Sequence, residues 1–312
     1  MNVSQLYIKG LNKSQSYSAD WRSHVMALLK ATFYTAMQIP ITLLSLLPYA
    51  LLRATIGRCC YFLAYSIMRY RYHVVLQNLS RSFPDKPYSE IHALAKGFYW
   101  HFSCLVVEVI KSISISKRQL AAKIRITNMD LINQYQAEGR PMVALLGHYG
   151  NWESLNILPS KLPFPVNALY KPLSNTMLCG IVRRIRSRFG MQLIPAGKAL
   201  RQLVKAKNDV SLNLFIADQF PGSNKGCQLE FLNQTTSMFD GAEKLAKAIN
   251  AVVFYIELER KPDDGWDVYF SLITDKAKDT VEGEITQCFG ELLQQTVNKN
   301  PTYWLWSHRR WK

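Results

Sequence analysis

Acidic residues are scarce in this 312-residue sequence. It has 22 Asp and Glu residues against 38 Lys and Arg, which gives a formal net charge of +16. No acid occurs between Ser154 and Asn208, a stretch with ten basic residues, whereas Glu257 to Glu291 holds ten acids against four bases. The excess positive charge indicates an anionic partner. Because the basic residues are concentrated in one segment, the protein surface is not uniformly basic, and we expect no nucleic-acid partner.

Paired cysteines and several common catalytic motifs are also missing. The six cysteines include no CxxC pair, and nothing completes a metal site around His101 and Cys104. We therefore expect reduced thiols, a cytoplasmic catalytic part, no metal and no cofactor. There is no GxSxG, Walker, GxGxxG or HExxH motif, which removes the usual signatures of serine hydrolases, P-loop enzymes, dinucleotide-binding enzymes and zinc proteases. No cleavable signal peptide is apparent.

The first 70 residues divide into two parts. Residues 1–24 are largely polar and are typical of an arm, and residues 25–70 hold 22 consecutive uncharged residues between Lys30 and Arg53. That length can span a bilayer, but Pro40 and Pro48 would bend or break a straight helix. Three interpretations stay open: a membrane anchor, a kinked hairpin lying in one leaflet, and a buried helix pair in a soluble protein.

Residues 71–312 show alternating strand and helix patterns, which predict an α/β domain with a largely parallel sheet flanked by helices. A hydrophobic content of 48% supplies ample material for a core and excludes disorder. Strands are predicted at 123–127, 142–147, 165–170, 192–195, 210–217, 252–258 and 267–273, and helices at 87–111, 129–138, 152–158, 175–189, 197–207, 238–250 and 281–299.

His148 is the leading candidate for catalysis. It follows a predicted buried strand, and Glu153 comes five residues later. If His148 ends the strand and Glu153 lies in the first turn of the next helix, the two side chains can meet. The carboxylate would then hold the imidazole in one tautomer and leave the other nitrogen as a general base. The alternative is a core histidine paired with a nearby acid. Asp218 also follows a predicted strand directly, which favours function because ligands of parallel sheets bind at the carboxyl ends of strands.

A His–carboxylate pair without its own Ser or Cys nucleophile suits a reaction on a hydroxyl that the substrate supplies. The base would remove the proton as the alcohol attacks a thioester. Backbone N–H groups in the glycine-flanked segment after Gly147 would stabilise the oxyanion.

Several short motifs follow one another along the chain in a characteristic order. They are the N-terminal apolar segment, the R…NL…FP pattern (Arg71, Asn78, Leu79, Phe83, Pro84), HYGNWE at 148–153, Tyr170-Lys171-Pro172, the Arg-rich segment ending in Arg-Phe-Gly at 188–190, Ala217-Asp218-Gln219, FDGAEKLA at 239–246 and the terminal YWLWSHRRWK. HYGNWE fits the HxxxxD/E signature of membrane-bound acyltransferases. With the other motifs, over most of the chain, the sequence resembles the late acyltransferases of lipid A biosynthesis in Gram-negative bacteria.

This resemblance implies transfer of a fatty acyl chain from an acyl carrier protein thioester to a hydroxyl of a phosphorylated glycolipid acceptor, a lipid A precursor. It also implies an inner-membrane location with the catalytic domain facing the cytoplasm. Two other functions stay open: acylation of another lipid, such as an amino-lipid or a glycerophospholipid, and non-enzymatic binding of anionic lipids. By position, His148 would be the general base with Glu153 as its orienting partner, and Arg186, Arg183, Asp218 and Lys171 would bind substrate or shape the pocket. The terminal His308 to Arg310 would either contact phosphates or fasten the C-terminus.

Overall fold

A seven-stranded sheet forms the centre of the protein. In the computed structural model, the described residues are 21, 25–26, 38–172, 175–222 and 226–311. The strand order is β1-β9-β8-β2-β5-β3-β4, and every neighbouring pair is parallel except the antiparallel β8 and β9. The predicted α/β class is therefore confirmed. The strands of this sheet are β1 Ile124–Ile126, β2 Met142–Leu146, β3 Val166–Tyr170, β4 Gln192–Pro195, β5 Leu212–Ile216, β8 Val252–Arg260 and β9 Trp266–Thr274.

A separate two-stranded hairpin, β6 (Cys227–Phe231) and β7 (Gln234–Met238), was not predicted from the sequence. Its second strand is QTTSM, which lacks a clear apolar alternation. The turn places Leu232 and Asn233 at positive φ, the backbone that tight hairpins require. A leucine at such a position gives no turn signal in the sequence.

Helices pack against the sheet and against one another. Most of them lie where the spacing of apolar residues predicts a helix. The segment after β2, Trp152–Ser160, is a 3₁₀ helix instead of an α-helix. The α-helices are α1 Gln38–Leu46, α2 Tyr49–Ile67, which includes π-helical turns, α3 Tyr72–Ser82, α4 Tyr88–Lys111, α5 Lys117–Lys123, α6 Met129–Ala137, α7 Thr176–Ser187, α8 Ala196–Lys205, α9 Gly241–Ile249 and α10 Glu284–Lys299.

Helices α1 and α2 form a bent pair with an angle of 120° between them. Pro48 stands at the bend, where its ring and missing N–H prevent a continuous helix. The Nζ atom of Lys111 donates to the carbonyls of Ser45 and Leu47, both at 2.9 Å, and fastens the bend to α4. The predicted arm at 1–24 lies outside the described residues apart from Trp21, and so do residues 27–37 of the apolar segment.

Within the described part of the chain, α4 is the one single helix that is long and apolar enough to cross a bilayer. Helices α1 and α2 meet the same criterion of length and apolar character when they are taken together as one bent span. Helix α4 buries a stripe of residues that includes Ala95, Phe98 and Val107, and it packs on α2, α3 and the turn Pro301–Tyr303. It therefore serves as a core helix of the folded domain.

Candidate active site

His148 and Asp218 meet at the carboxyl edge of the sheet. Strands β2 and β5 are parallel neighbours, with Leu146 paired with Ile216. The ladder continues for one further bond, in which the N–H of Ala217 donates to the carbonyl of Leu146 at 3.0 Å. His148 and Asp218 each stand two residues beyond their strand, so equal strand lengths in register bring the two side chains together.

Asp218 holds His148 by two hydrogen bonds. Its Oδ1 atom lies 2.6 Å from Nδ1 of the imidazole, and its Oδ2 atom accepts the backbone N–H of His148 at 2.8 Å. The Asp218 side chain is fully buried. Burial would raise the pKa of this carboxyl, but the charge and hydrogen bonds of His148 and the charge of His308 outweigh it and hold the pKa below its usual range. An ionised Asp218 accepts the proton on Nδ1, so a neutral His148 carries its free lone pair on Nε2.

Gly147 allows this close contact. A Cβ atom at position 147 would lie 2.6 Å from Cδ1 of Leu293 and 3.2 Å from Oδ2 of Asp218. Any larger residue would push either the helix α10 or the carboxylate away. The glycine before the histidine is thus explained by the close approach of Leu293 and, next to it, of Asp218.

The expected contact between His148 and Glu153 is not what the structure shows. Glu153 makes a bidentate ion pair with Arg186, at 2.8 Å from its Nε and 2.5 Å from its Nη2. The physical reason is the 3₁₀ helix, in which successive side chains point about 120° apart. Trp152 takes the place beside the imidazole, with ring centroids 4.9 Å apart, and Glu153 points towards α7. Its carboxylate also accepts the indole N–H of Trp152 at 3.2 Å.

The other predicted substrate-binding residues are dispersed around this centre. Arg186 is mostly buried; burial would lower the pKa of its guanidinium, but Glu153 raises it overall. Its fork is occupied by Glu153. Arg183 lies exposed on α7, and Lys171 lies exposed just after β3. The substrate-binding roles predicted for Arg186, Arg183 and Lys171 stay predictions, and so do the catalytic roles predicted for His148 and Glu153.

Two backbone donors expected to stabilise an oxyanion are already used. The N–H of His148 donates to Asp218, and the N–H of Gly150 donates to the carbonyl of Tyr303 at 3.0 Å. Gly150 itself has φ +61°, and a Cβ there would lie 2.7 Å from the Trp266 ring. Gly150 therefore positions the loop, and the N–H groups of His148 and Gly150 are not free for a reacting oxygen.

The C-terminal segment supports the His148 loop, a role that the sequence reasoning missed. Tyr149 and Trp304 form an antiparallel bridge, and the N–H of Leu305 donates to the carbonyl of His148 at 3.0 Å. Trp304 is fully buried and donates its indole N–H to Oδ2 of Asp218 at 2.8 Å. The loop and its carboxylate are thus both fastened by residues near the end of the chain. The only signal for this was the dense aromatic run YWLW.

Residues of the R…NL…FP segment donate hydrogen bonds to the same C-terminal segment. Asn78 donates to the carbonyls of Trp306 and His308 at 2.9 and 3.0 Å, and Arg71 donates to the carbonyl of Ser307 at 2.9 Å. Arg310 is fully buried and donates to Thr236 and to the carbonyl of Ser237 on β7. For Arg310, fastening the C-terminus is the interpretation that the structure supports, whereas Arg309 is exposed.

A polar network on the other side of the loop connects it to the helix bend. The carboxylate of Glu108 on α4 accepts from Asn151 at 2.5 Å and from the hydroxyl of Tyr49 at 2.9 Å. Asn151 in turn caps the 3₁₀ helix, with its Oδ1 accepting the N–H of Ser154 at 3.2 Å. The start of α2 and the segment that carries Glu153 are therefore joined through Glu108.

An apolar cleft of about 510 Å³ opens beside Gln219, the residue that contacts Nε2 of His148. This lies within the range of roughly 300–1,000 Å³ that small-molecule pockets occupy. Gln219 stands between the cleft and the imidazole, with its Nε2 atom 3.4 Å from Nε2 of His148. The lining includes apolar side chains from three strand ends and two helices, namely Leu169, Leu200, Phe215, Ile216, Phe239 and Leu245, with Lys171 and Lys244 among its cationic members.

The described residues include no group of three or more His, Cys, Asp or Glu side chains placed to hold a metal ion. The described centre consists of an oriented imidazole and a neighbouring apolar cleft, with cationic side chains nearby.

Comparison with known proteins shows the family to which this chain belongs. Residues 22–312 match the family described as bacterial lipid A biosynthesis acyltransferase. A lipid A biosynthesis acyltransferase of Haemophilus influenzae is 20% identical over 138 residues. That similarity spans 44% of this chain and 43% of the relative, so the chain matches under half of the relative's length. Because the family match covers nearly the whole chain, the chain belongs to the bacterial lipid A biosynthesis acyltransferase family.

Proposed function

We propose that this protein transfers a fatty acyl chain from an acyl carrier protein thioester to a hydroxyl of a lipid A precursor. The observation that carries this proposal is the orientation of His148. Its Nδ1 is held by buried Asp218, and its Nε2 lies 3.4 Å from Gln219 at the edge of the apolar cleft. An imidazole fixed in this way is a general base aimed at the space where a thioester and an alcohol would meet.

The reaction follows from that geometry. The Nε2 atom takes the proton of the acceptor hydroxyl as its oxygen attacks the thioester carbonyl. The carbonyl oxygen becomes an oxyanion in the tetrahedral intermediate, and the C–S bond then breaks. The proton on Nε2 passes to the departing thiolate, and an ester is formed. Asp218 stabilises the imidazolium while it exists, and the Gln219 amide is a side-chain donor within reach of the oxyanion.

Glu153 does not contact the imidazole, and it acts by holding the side chains around it. Its carboxylate fixes both the Trp152 ring, which packs against His148, and the Arg186 guanidinium. We propose that Trp152 and Arg186, held in this way, form a rigid wall on one side of the imidazole. Glu153 would then contribute to catalysis as a positioning residue.

The cleft suits the acyl chain of the donor. Its lining side chains are mainly apolar, so a hydrocarbon chain placed there would leave water without exposing backbone polar groups. Lys171, an exposed cation in its lining, suits an anionic donor. Chain length would be set by the depth of this cleft.

The acceptor would reach the site from a membrane surface. Large apolar side chains on α1 and α2 are exposed, and the 120° bend favours a hairpin lying in one leaflet over a straight span. We place this face in the inner membrane, with the sheet on the cytoplasmic side and Arg183 directed to acceptor phosphates. The exposed residues include Ile39, Leu43, Leu46, Phe62, Ile67 and Met68.

Incubation of the purified protein with acyl carrier protein thioesters and candidate acceptors tests the proposal. Acylation of a lipid A precursor, abolished in His148→Ala, is the expected result. Transfer to a lysophosphatidate or an amino-lipid acceptor, with none to the lipid A precursor, would favour the other acyltransferase function. Binding of anionic lipids without any transfer would leave only the non-enzymatic alternative.

A further inference from the structure

Helix α8 carries a cationic face that has no acidic partner in the described part of the chain. Lys198, Arg201 and Lys205 are exposed, and their spacing of three and four residues places them on one side of the helix. The opposite side, with Ala199 and Leu203, is 6% and 4% exposed and packs on the domain. Arg186 and Lys244 differ from this group because each is neutralised by a carboxylate. We call Lys198, Arg201 and Lys205 the α8 cationic face.

Apolar side chains border this face where it adjoins the cleft. Leu200 is 58% exposed and lines the cleft, and Val204 one turn later is 38% exposed. Phe239, across the cleft on the approach to α9, is also exposed at 42%. A surface that combines cations with apolar groups at the mouth of an acyl cleft fits a partner with the opposite charge and its own apolar patch.

The position of α8 distinguishes a protein partner from a membrane. The basic helix that lies against the α1–α2 pair is α7, whose Arg184 and Arg188 share a small cavity with Ile41 and Thr42. Helix α8 instead packs on α9, β3 and β4. Helix α1 thus neighbours α7, and the α8 cationic face belongs to a different part of the domain surface.

We propose that the α8 cationic face is the docking surface for the acidic acyl carrier protein that brings the thioester. The inference rests on the proposed function and adds the place of donor binding. Carboxylates of the carrier would pair with Lys198, Arg201 and Lys205, and its apolar side chains would contact Leu200 and Val204. The thioester-linked chain would then enter the cleft directly beneath, with its carbonyl reaching His148.

A pair of charge reversals tests this surface. Arg201→Glu with Lys205→Glu removes two cations of the α8 cationic face, and Lys276→Glu with Lys278→Glu is the matched control. Both control lysines are exposed and lie between β9 and α10, and the change in net charge is the same. Three quantities are measured for each double variant. They are the KM for lauroyl-loaded acyl carrier protein, the dissociation constant for unloaded carrier protein, and the rate with lauroyl-coenzyme A as a small donor.

The proposal predicts that the α8 double variant raises the carrier protein KM and dissociation constant at least tenfold. Its rate with the small donor should stay within twofold of the unmodified protein, and the control should match the unmodified protein throughout. Equal carrier affinity in both doubles would overturn the proposal. So would loss of binding to phosphatidylglycerol vesicles with unchanged carrier binding, which would assign the face to a membrane. If neither donor supports transfer, the proposed function fails, and the carrier-binding measurement still decides the docking surface.

Discussion

The Nδ1 atom of His148 lies 2.6 Å from Oδ1 of Asp218, a residue 70 positions further along the chain. The HxxxxE signature predicts Glu153, five residues away, as the partner of the imidazole, but in the structure Glu153 forms an ion pair with Arg186. Two carboxylates therefore flank the imidazole with different tasks. Asp218 contacts the ring directly, and Glu153 contacts the tryptophan packed against it.

Trp304→Phe should slow the reaction by roughly tenfold, because Asp218 Oδ2 would keep only the backbone N–H of His148 as a donor, and the loss of a hydrogen bond to a charged group costs about 1.5–3 kcal/mol. Trp306→Phe is the matched control. Both tryptophans are fully buried, and Trp306 donates to the carbonyl of Pro301 at 2.6 Å. Each variant should lose similar unfolding free energy in urea titrations, but only Trp304→Phe should lower kcat. Equal kcat for the two variants would show that Trp304 acts only in folding.

The stability of the fold should decrease as the pH falls from about 7 to 5. Burial lowers the pKa of His308 to about 4 from its ordinary value of 6.5. The unfolded chain therefore binds a proton in this window that the folded chain does not, and the free energy of unfolding falls by about 2 kcal/mol for such a group. His101, whose pKa burial also lowers to about 4, should contribute in the same direction. The depressed pKa of Asp218 acts only below about pH 4.

Unfolding in urea at pH 7 and pH 5 measures this effect. His308→Gln should lose less stability than the unmodified protein over the same interval, since it has no proton to gain. An equal loss in both proteins would contradict the burial of a neutral His308.

The Glu153–Arg186 pair should show strong coupling in a double-mutant cycle. Both side chains are mostly buried, at 13% and 21% exposure, and removing one partner leaves an uncompensated charge at a cost of about 3–5 kcal/mol for a fully buried pair. We expect Glu153→Leu and Arg186→Met each to cost about 3 kcal/mol, and the double variant to cost much less than their sum. Additive losses would show that the ion pair has no energetic role.

Leu200→Trp should shift donor preference towards shorter acyl chains, because the larger side chain takes space in the cleft. Gln202→Trp, on an exposed position of the same helix, is the control. The ratio of kcat/KM for donors of ten and fourteen carbons is compared between them. An unchanged ratio in Leu200→Trp would place the acyl chain elsewhere.

The sequence was sufficient for the strands of the main sheet and for the two strand ends that carry His148 and Asp218. It did not reveal that these strands are neighbours, because strand order depends on long-range packing that a local pattern does not encode. The choice between Asp218 and Glu153 as partner of the imidazole depended on that order. It also depended on the 3₁₀ geometry after Asn151, which the HYGNWE letters do not distinguish from an α-helix.

The role of the C-terminal segment was harder still to predict. Asn78, Trp304 and Arg310 come from distant parts of the chain and meet only in the folded state. Their burial reverses the usual expectation that Asn and Arg lie at the surface. No spacing rule connects them.

The transfer rates of Asp218→Asn and Glu153→Gln test the central claim that Asp218 orients and supports the catalytic imidazole. The Asp218 carboxylate contacts Nδ1 of His148 directly, and its replacement by an uncharged amide removes the group that stabilises the imidazolium. Asp218→Asn should therefore lower kcat by roughly 10²–10⁴-fold. Glu153→Gln should lower kcat less, because Glu153 pairs with Arg186 and does not contact the ring. A larger loss of kcat in Glu153→Gln than in Asp218→Asn would contradict the account.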